Sequence, residues 1–217
     1  MHCAVELNSM ESWECYEAGA EEYAAVGEDD PAWRRRHRER FSRMLRGTVV
    51  ADLGCGPGYD LAAFAASGLQ TVGVDGSAAM LRIAARNSPS SVLINQDLRH
   101  SLRRPVDGLW SMFALLHLPE PDLFTCLGSW RGSLARGDPV MLGFAESELM
   151  EMREVSGWLG QPNSCIFYYH RWRRVQELLE SSGYRIDSAV DDTPERYRGG
   201  VYEELKLKCY VIGARAE

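Results

Sequence analysis

The order of apolar and helical segments predicts an α/β protein with a doubly wound, mainly parallel sheet. Three observations predict it. Thr48-Val49-Val50-Ala51-Asp52-Leu53 is almost wholly apolar, as a central strand buried on both faces is. Glycines and a helical segment follow it at once, and strand and helix patterns then alternate along the chain. The last segment instead alternates, with Leu205, Leu207, Cys209 and Val211 against Lys206, Lys208 and Tyr210, which fits a strand with unequal faces near a sheet edge.

In chain order, Trp13, Tyr16, Ala20 and Tyr23 recur at three- and four-residue spacing and predict a helix over 10–26. Asp30-Pro31 reads as an N-cap followed by proline at the first helical position. The helix it opens, 31–46, carries Arg34, Arg35, Arg36, Arg38, Arg40, Arg43 and Arg46, read as a solvated face over Trp33, Phe41, Met44 and Leu45 rather than a phosphate-binding one. Strand 48–53 leads to a helix from Tyr59 to about Ala66, ending at Gly68. Next come strand 71–75, a helix opened by Ser77, and strands 91–95 and 106–112. Leu123, Leu127, Trp130 and Leu134 form the stripe of a helix over 121–134. Strand 139–145, a helix over 171–182 stopped by Gly183, and strands at 184–190 and about 202–213 complete the series.

A chain of 217 residues buries a full core as one domain. Its net charge of −7 argues against a dedicated nucleic-acid or acidic-membrane binder, whose footprint is basic. No apolar run approaches the roughly 18 residues of a membrane span, and Met1-His2-Cys3-Ala4-Val5-Glu6 lacks the basic and apolar regions of a secretion signal. A cytoplasmic protein is therefore expected, its six cysteines free thiols, since none forms a C-x-x-C pair or a zinc pattern. Of the 24 basic residues only Lys206 and Lys208 are lysines, which resembles the codon bias of a high-GC bacterium.

In doubly wound sheets ligands bind beyond the carboxyl ends of the strands. After the first strand, Gly54, Gly56 and Gly58 allow a sharp turn and a close ligand approach, and the next helix offers free N–H groups. The spacing is G-x-G-x-G. The dinucleotide fingerprint would need a glycine where Tyr59 stands, and no Gly-Lys-Ser/Thr follows to make a P-loop. Asp75 ends the second strand, where a carboxylate can accept both hydroxyls of a ribose. After Gln96, Asp97 ends the third and suits an exocyclic amine of adenine, with Leu98 as an apolar wall and backbone donor.

Together Val50-Ala51-Asp52-Leu53-Gly54-Cys55-Gly56-Pro57-Gly58, Val72-Gly73-Val74-Asp75-Gly76-Ser77-Ala78-Ala79-Met80-Leu81, Gln96-Asp97-Leu98 and the segment from Asp107 to Pro119 resemble the class I S-adenosylmethionine (SAM) dependent methyltransferases, in particular small bacterial members acting on metabolites. The resemblance runs from about 45 to 150. It implies a Rossmann-like sheet of seven strands with the last antiparallel, and SAM as cofactor. The chain then divides into an N-terminal helical cap (1–46), a SAM-binding core (47–145), a substrate lid segment (146–172) and a C-terminal helix with strands (173–217). The loop with Cys55 would cradle the methionine part and Asp52 with the Gly54 backbone its amino end. Asp75 and Gly76 would hold the ribose, Met80 the adenine, Gln96 and Asp97 its edge, and Phe113 would sit near the sulfonium. The sequence departs from the family at Arg136-Gly137-Asp138-Pro139, where many relatives have Pro-Gly-Gly.

Methyl transfer from a sulfonium needs orientation and dryness more than a covalent nucleophile, and a base helps when the acceptor carries a proton. His117, Glu146 and His170 are the candidate bases. Trp158, Tyr168 and Tyr169 would wall the acceptor, with Trp13, Tyr16 and Tyr23 as a lid. The expected activity is methylation of an O, N or C atom of a small metabolite in bacterial natural-product biosynthesis, by a monomer or homodimer, with no metal, nucleic acid or membrane. The alternatives are an RNA or protein substrate, resting on the arginine-rich helix, and a SAM-binding fold that cyclises or regulates instead.

Overall fold

The computed structural model describes residues 13–27, 30–193 and 206–217. Three helices lead: α1 (Glu14–Glu17), α2 (Ala20–Gly27) and α3 (Ala32–Met44). Alternating elements follow: β1 (Val49–Leu53), α4 (Tyr59–Ala66), β2 (Gln70–Asp75), α5 (Ala78–Asn87), β3 (Val92–Asn95), β4 (Gly108–Met112) and α6 (Glu120–Arg131). Then come β5 (Pro139–Ser147), the hairpin β6 (Met152–Ser156) and β7 (Ser164–Tyr168), α7 (Trp172–Ser181), β8 (Tyr184–Asp191) and β9 (Leu207–Ala216).

Seven strands form one sheet in the order β3-β2-β1-β4-β5-β9-β8. Every pairing from β3 to β5 is parallel, and β9 runs antiparallel to both neighbours. Val50, Ala51 and Leu53 of β1 are buried, as a central parallel strand requires. Leu123, Leu127 and Trp130 of α6 and Val175, Leu178 and Leu179 of α7 pack on one face. Phe41, Phe64, Trp110 and Met141 fill the other, beneath α3 and α4. The strand order reverses between β1 and β4, so the switch-point crevice opens at the ends of those two strands.

Several expectations are corrected. The first helix is two short helices separated at Ala18-Gly19, so the residues predicted on one face belong to separate elements; its residues 10–12 lie outside the described ones. Pro31, not Asp30, holds the N-cap of α3, and the Asp30 carboxylate binds Arg38 at 2.6 Å instead. The arginines of α3 are not uniformly solvated. Arg34 and Arg38 both reach Asp60 at 2.6 Å, and Arg36 pairs with Asp192 at 3.3 Å. Residues 152–168 form an antiparallel hairpin, which the sequence does not announce. The last strand is Leu207–Ala216, and Leu205 falls outside the described residues.

The expectation of free thiols fails at one pair. Cys15 and Cys165 form a disulfide across a sequence separation of 150, tying α1 to β7. Such a pairing leaves no spacing pattern to read. Cys55, Cys126 and Cys209 are free and buried, and Cys3 lies outside the described residues.

Candidate active site and cofactor cleft

The glycine loop is shaped by its backbone. Gly54, Gly56 and Gly58 all have positive φ (76°, 50° and 81°), a region L side chains rarely adopt. At Gly54 a Cβ would also stand 2.2 Å from the Ala114 Cβ. At Gly56 it would meet nothing within 4 Å, because that side opens into the cleft. Gly54 N–H and Cys55 N–H donate to the Val74 carbonyl at 2.8 and 3.1 Å, which pins the loop to the end of β2.

Asp75 completes this corner. Its carboxylate accepts from Gly56 N–H at 2.8 Å and Ser77 N–H at 2.9 Å. Burial pushes its carboxyl above the ordinary range, with the two amides pulling the other way. Ser77 caps α5 by accepting from Met80 N–H. Glu17 reinforces that helix start, accepting from Ser77 Oγ at 2.6 Å and from Ala79 N–H at 3.1 Å. This contact of α1 has no signal in the sequence.

Two adjoining cavities open at this corner. The narrow one, about 90 Å³, is lined by Asp75, Gly76, Met80, Asp97 and Leu98, with Trp13 packed over Gly76. Asp97 is also bound to Arg99 (Nε 2.8 Å). Burial would raise its carboxyl, but Arg99 outweighs that and holds it below the usual range. The wide cavity, about 490 Å³, is walled by Trp33, Trp158, Phe167 and Tyr169, with Cys55 on its floor. Gly54, Gly56, Phe113, His117, Tyr16 and Tyr23 line both. Phe113 has φ 64°, rare for a non-glycine residue, and its ring meets Trp33 edge-on at 5.9 Å.

His117 sits where the cavities meet. Its Nδ1 lies 3.3 Å from the Ile166 carbonyl, which can only accept, so Nδ1 carries the proton. Its Nε2 is then the acceptor for the Tyr16 hydroxyl at 2.8 Å. Burial pushes this imidazole down to about 4, so it is uncharged at neutral pH.

Most of the other predicted residues stand apart from both cavities. His170 is buried, with Nε2 at 3.1 Å from the Leu115 carbonyl. Glu146 accepts from Trp172 N–H at 3.3 Å, at the start of α7. Tyr168 turns away while its neighbours Phe167 and Tyr169 turn in, as strand alternation dictates. Gln96 reaches the His100 carbonyl at 3.3 Å. Gly58 opens α4. Asp52 lies buried beneath the loop, its carboxyl raised by burial and by the nearby Asp60. Trp13 borders the narrow cavity and not the wide one. Phe167, Trp33, Arg34 and Arg153 line the wide cavity as well. Among the described residues no cluster of three or more His, Cys, Asp or Glu could hold a metal ion. No described helix is long and apolar enough to cross a membrane.

A seven-stranded sheet of this order, with its glycine loop after β1 and an acidic residue at the end of β2, has the fold of the class I SAM-dependent methyltransferases. Residues 50–137 match the family described as methyltransferase domain. Comparison with curated proteins finds no match. Among solved structures, DhpI in complex with SAH is similar, with 21% identity, a TM-score of 0.71 and 95% of each chain covered. Magnesium protoporphyrin IX methyltransferase from Synechocystis with bound SAM is 16% identical, with a TM-score of 0.67 over 94% of each chain. The (4+2) cyclase SpnF is 17% identical, with a TM-score of 0.69 over 94% of each chain.

Proposed function

We propose that the protein transfers the methyl group of SAM to an O, N or C atom of a small metabolite, and that its setting is bacterial natural-product biosynthesis. The observation that carries this reading is the meeting of two unlike cavities at Gly54, Gly56, Phe113 and His117. One presents the carboxylates of Asp75 and Asp97 beside Met80 and Leu98; the other is aromatic. The residues fit the cofactor. The open space beyond Gly56 is a cradle that a side chain would fill. Asp75 would accept from the ribose hydroxyls and Asp97 from the adenine amine, while Asp52 would lie beneath the amino end.

Bound SAM supplies an electrophilic methyl on a sulfonium. The chain's own task is to orient the acceptor, keep water out and take up its proton. In this reading the Tyr16 oxygen would receive that proton while passing its own to His117 Nε2, a weakly basic acceptor oriented by the Nδ1 contact to Ile166. DhpI complexed with SAH and the Synechocystis enzyme with bound SAM support the cofactor assignment. Calorimetry with S-adenosylhomocysteine tests it: the wild type should bind and Asp75→Ala should bind at least about tenfold more weakly. Labelled SAM incubated with an extract of the source organism would identify the acceptor.

One comparison favours a second reading. SpnF shares the fold and is described as a cyclase, so the chain's cleft could hold SAM while an acceptor rearranges. Intact SAM after complete substrate turnover would select this reading over methyl transfer.

A further inference from the structure

Arg153 faces the wide cavity from β6. Along that strand Arg153 and Val155 turn inward, and the register partner of Arg153, Phe167, lines the same wall. Among the described residues no acceptor partners the Arg153 guanidinium by hydrogen bond or ion pair. The described lining of this cavity contains no aspartate or glutamate. Its other arginine, Arg34, is held by Asp60 through Nε at 2.9 Å and Nη2 at 2.6 Å. His117 is uncharged at neutral pH.

Among the described residues the wall therefore carries one uncompensated positive charge among rings. A partly buried cation gives up hydration, and no described residue supplies a counter-charge to replace it. Its field is weakly screened in an apolar cleft. The planar guanidinium fork matches a carboxylate or phosphate through two parallel hydrogen bonds. Trp33, Phe113 and Phe167 offer faces and edges for a flat body beside that charge.

Building on the methyltransferase reading above, we infer that the acceptor is a flat, largely apolar molecule bearing a carboxylate or phosphate, which Arg153 binds and orients. The probes are 1-naphthylacetate, 1-naphthyl phosphate and the neutral 1-naphthylacetamide, titrated into protein with and without S-adenosylhomocysteine and followed by tryptophan fluorescence. At least one anion should bind about tenfold or more tighter than the amide, the size of one charge-assisted contact. The anion that does so tells carboxylate from phosphate. Arg153→Gln should abolish the preference without changing the affinity for S-adenosylhomocysteine, and Arg153→Lys should keep part of it. The inference is overturned if the amide binds as well as both anions, if none of the three binds, or if the preference survives Arg153→Gln. Loss of S-adenosylhomocysteine binding in Arg153→Gln also overturns it, because Arg153 would then serve the cofactor. If the wild type binds no S-adenosylhomocysteine, the methyltransferase reading falls, while the anion preference of the unloaded protein still reports on Arg153.

Discussion

Asp60→Asn is the sharpest test of what holds α3 against the sheet. The Asp60 side chain is 1% exposed and accepts from Arg34, from Arg38 Nη1 at 2.6 Å and from Trp110 Nε1 at 2.7 Å. Asparagine fills the same space and keeps one oxygen, but it leaves two guanidinium groups without their shared counter-charge. Breaking a buried pair this way costs about 3–5 kcal/mol. The Arg34 side chain is 31% exposed and water screens part of its charge, so the lower end, about 3 kcal/mol, is expected. For a chain of this length that lowers Tm by roughly 6–12 °C.

The pH dependence carries the same signature. Burial alone would raise the Asp60 carboxyl, but Arg34 and Arg38 outweigh it and the folded value lies below the ordinary 3.8. A lowered carboxyl contributes stability above its unfolded value and loses it as pH falls through the folded one. The gap between wild type and Asp60→Asn should thus be full at neutral pH and narrow only below about 3.8. Urea unfolding followed by circular dichroism across this range measures it, with the exposed Glu177→Gln as a variant expected to melt like wild type. A Tm change under about 2 °C for Asp60→Asn, less than 1 kcal/mol, would refute the reasoning.

Asp75→Ala should weaken S-adenosylhomocysteine binding at least about tenfold by calorimetry; in the wild type, affinity should fall on acidification from a pH above the ordinary carboxylate range, because burial raises this carboxyl and only its ionised form accepts two hydroxyls. Gly54→Ala forces a Cβ to 2.2 Å from Ala114, whereas Gly68→Ala meets nothing within 4 Å; urea midpoints should drop far more for the first, with Gly68→Ala costing only the φ penalty of about 1 kcal/mol. His117→Gln should keep cofactor affinity while lowering kcat about 10²–10⁴-fold, and Tyr16→Phe should lower it in the same direction. Reduction should expose two further reactive thiols in denatured protein, and loss of the Cys15–Cys165 bond, closing 150 residues, should cost about 5 kcal/mol in an unfolding titration.

The parts of the site made by neighbours in sequence were legible beforehand. The glycine loop, Asp75, Asp97 and Phe113 all stand at or just past strand ends, and a single run of residues fixes both the strand and its end. The hairpin was not legible. Arg153 occupies an inward position that a period-two pattern expects to be apolar, and Ser164, Ile166 and Tyr168 mix polar and apolar residues on one face of β7. Without the strand there was no way to tell that Phe167 turns in and Tyr168 out. Asp60 reads locally as an ordinary acid in a first helical turn, and only tertiary packing brings α3 to it. Residue type near a strand end points to His170 and Glu146, and packing directs both to backbone groups instead.

Four side chains of one short stretch each hold a different part of the cleft. Trp13 covers Gly76, Cys15 is bonded to the hairpin, Tyr16 reaches His117 and Glu17 holds the start of α5. With Trp13 seated, the narrow cavity measures about 90 Å³, well under the roughly 300–1,000 Å³ of an ordinary ligand pocket. The indole thus stands as a placeholder where a nucleoside would have to enter. A nucleoside entering there would have to displace the Trp13 indole, while the Cys15–Cys165 bond keeps the rest of the stretch tied to the hairpin.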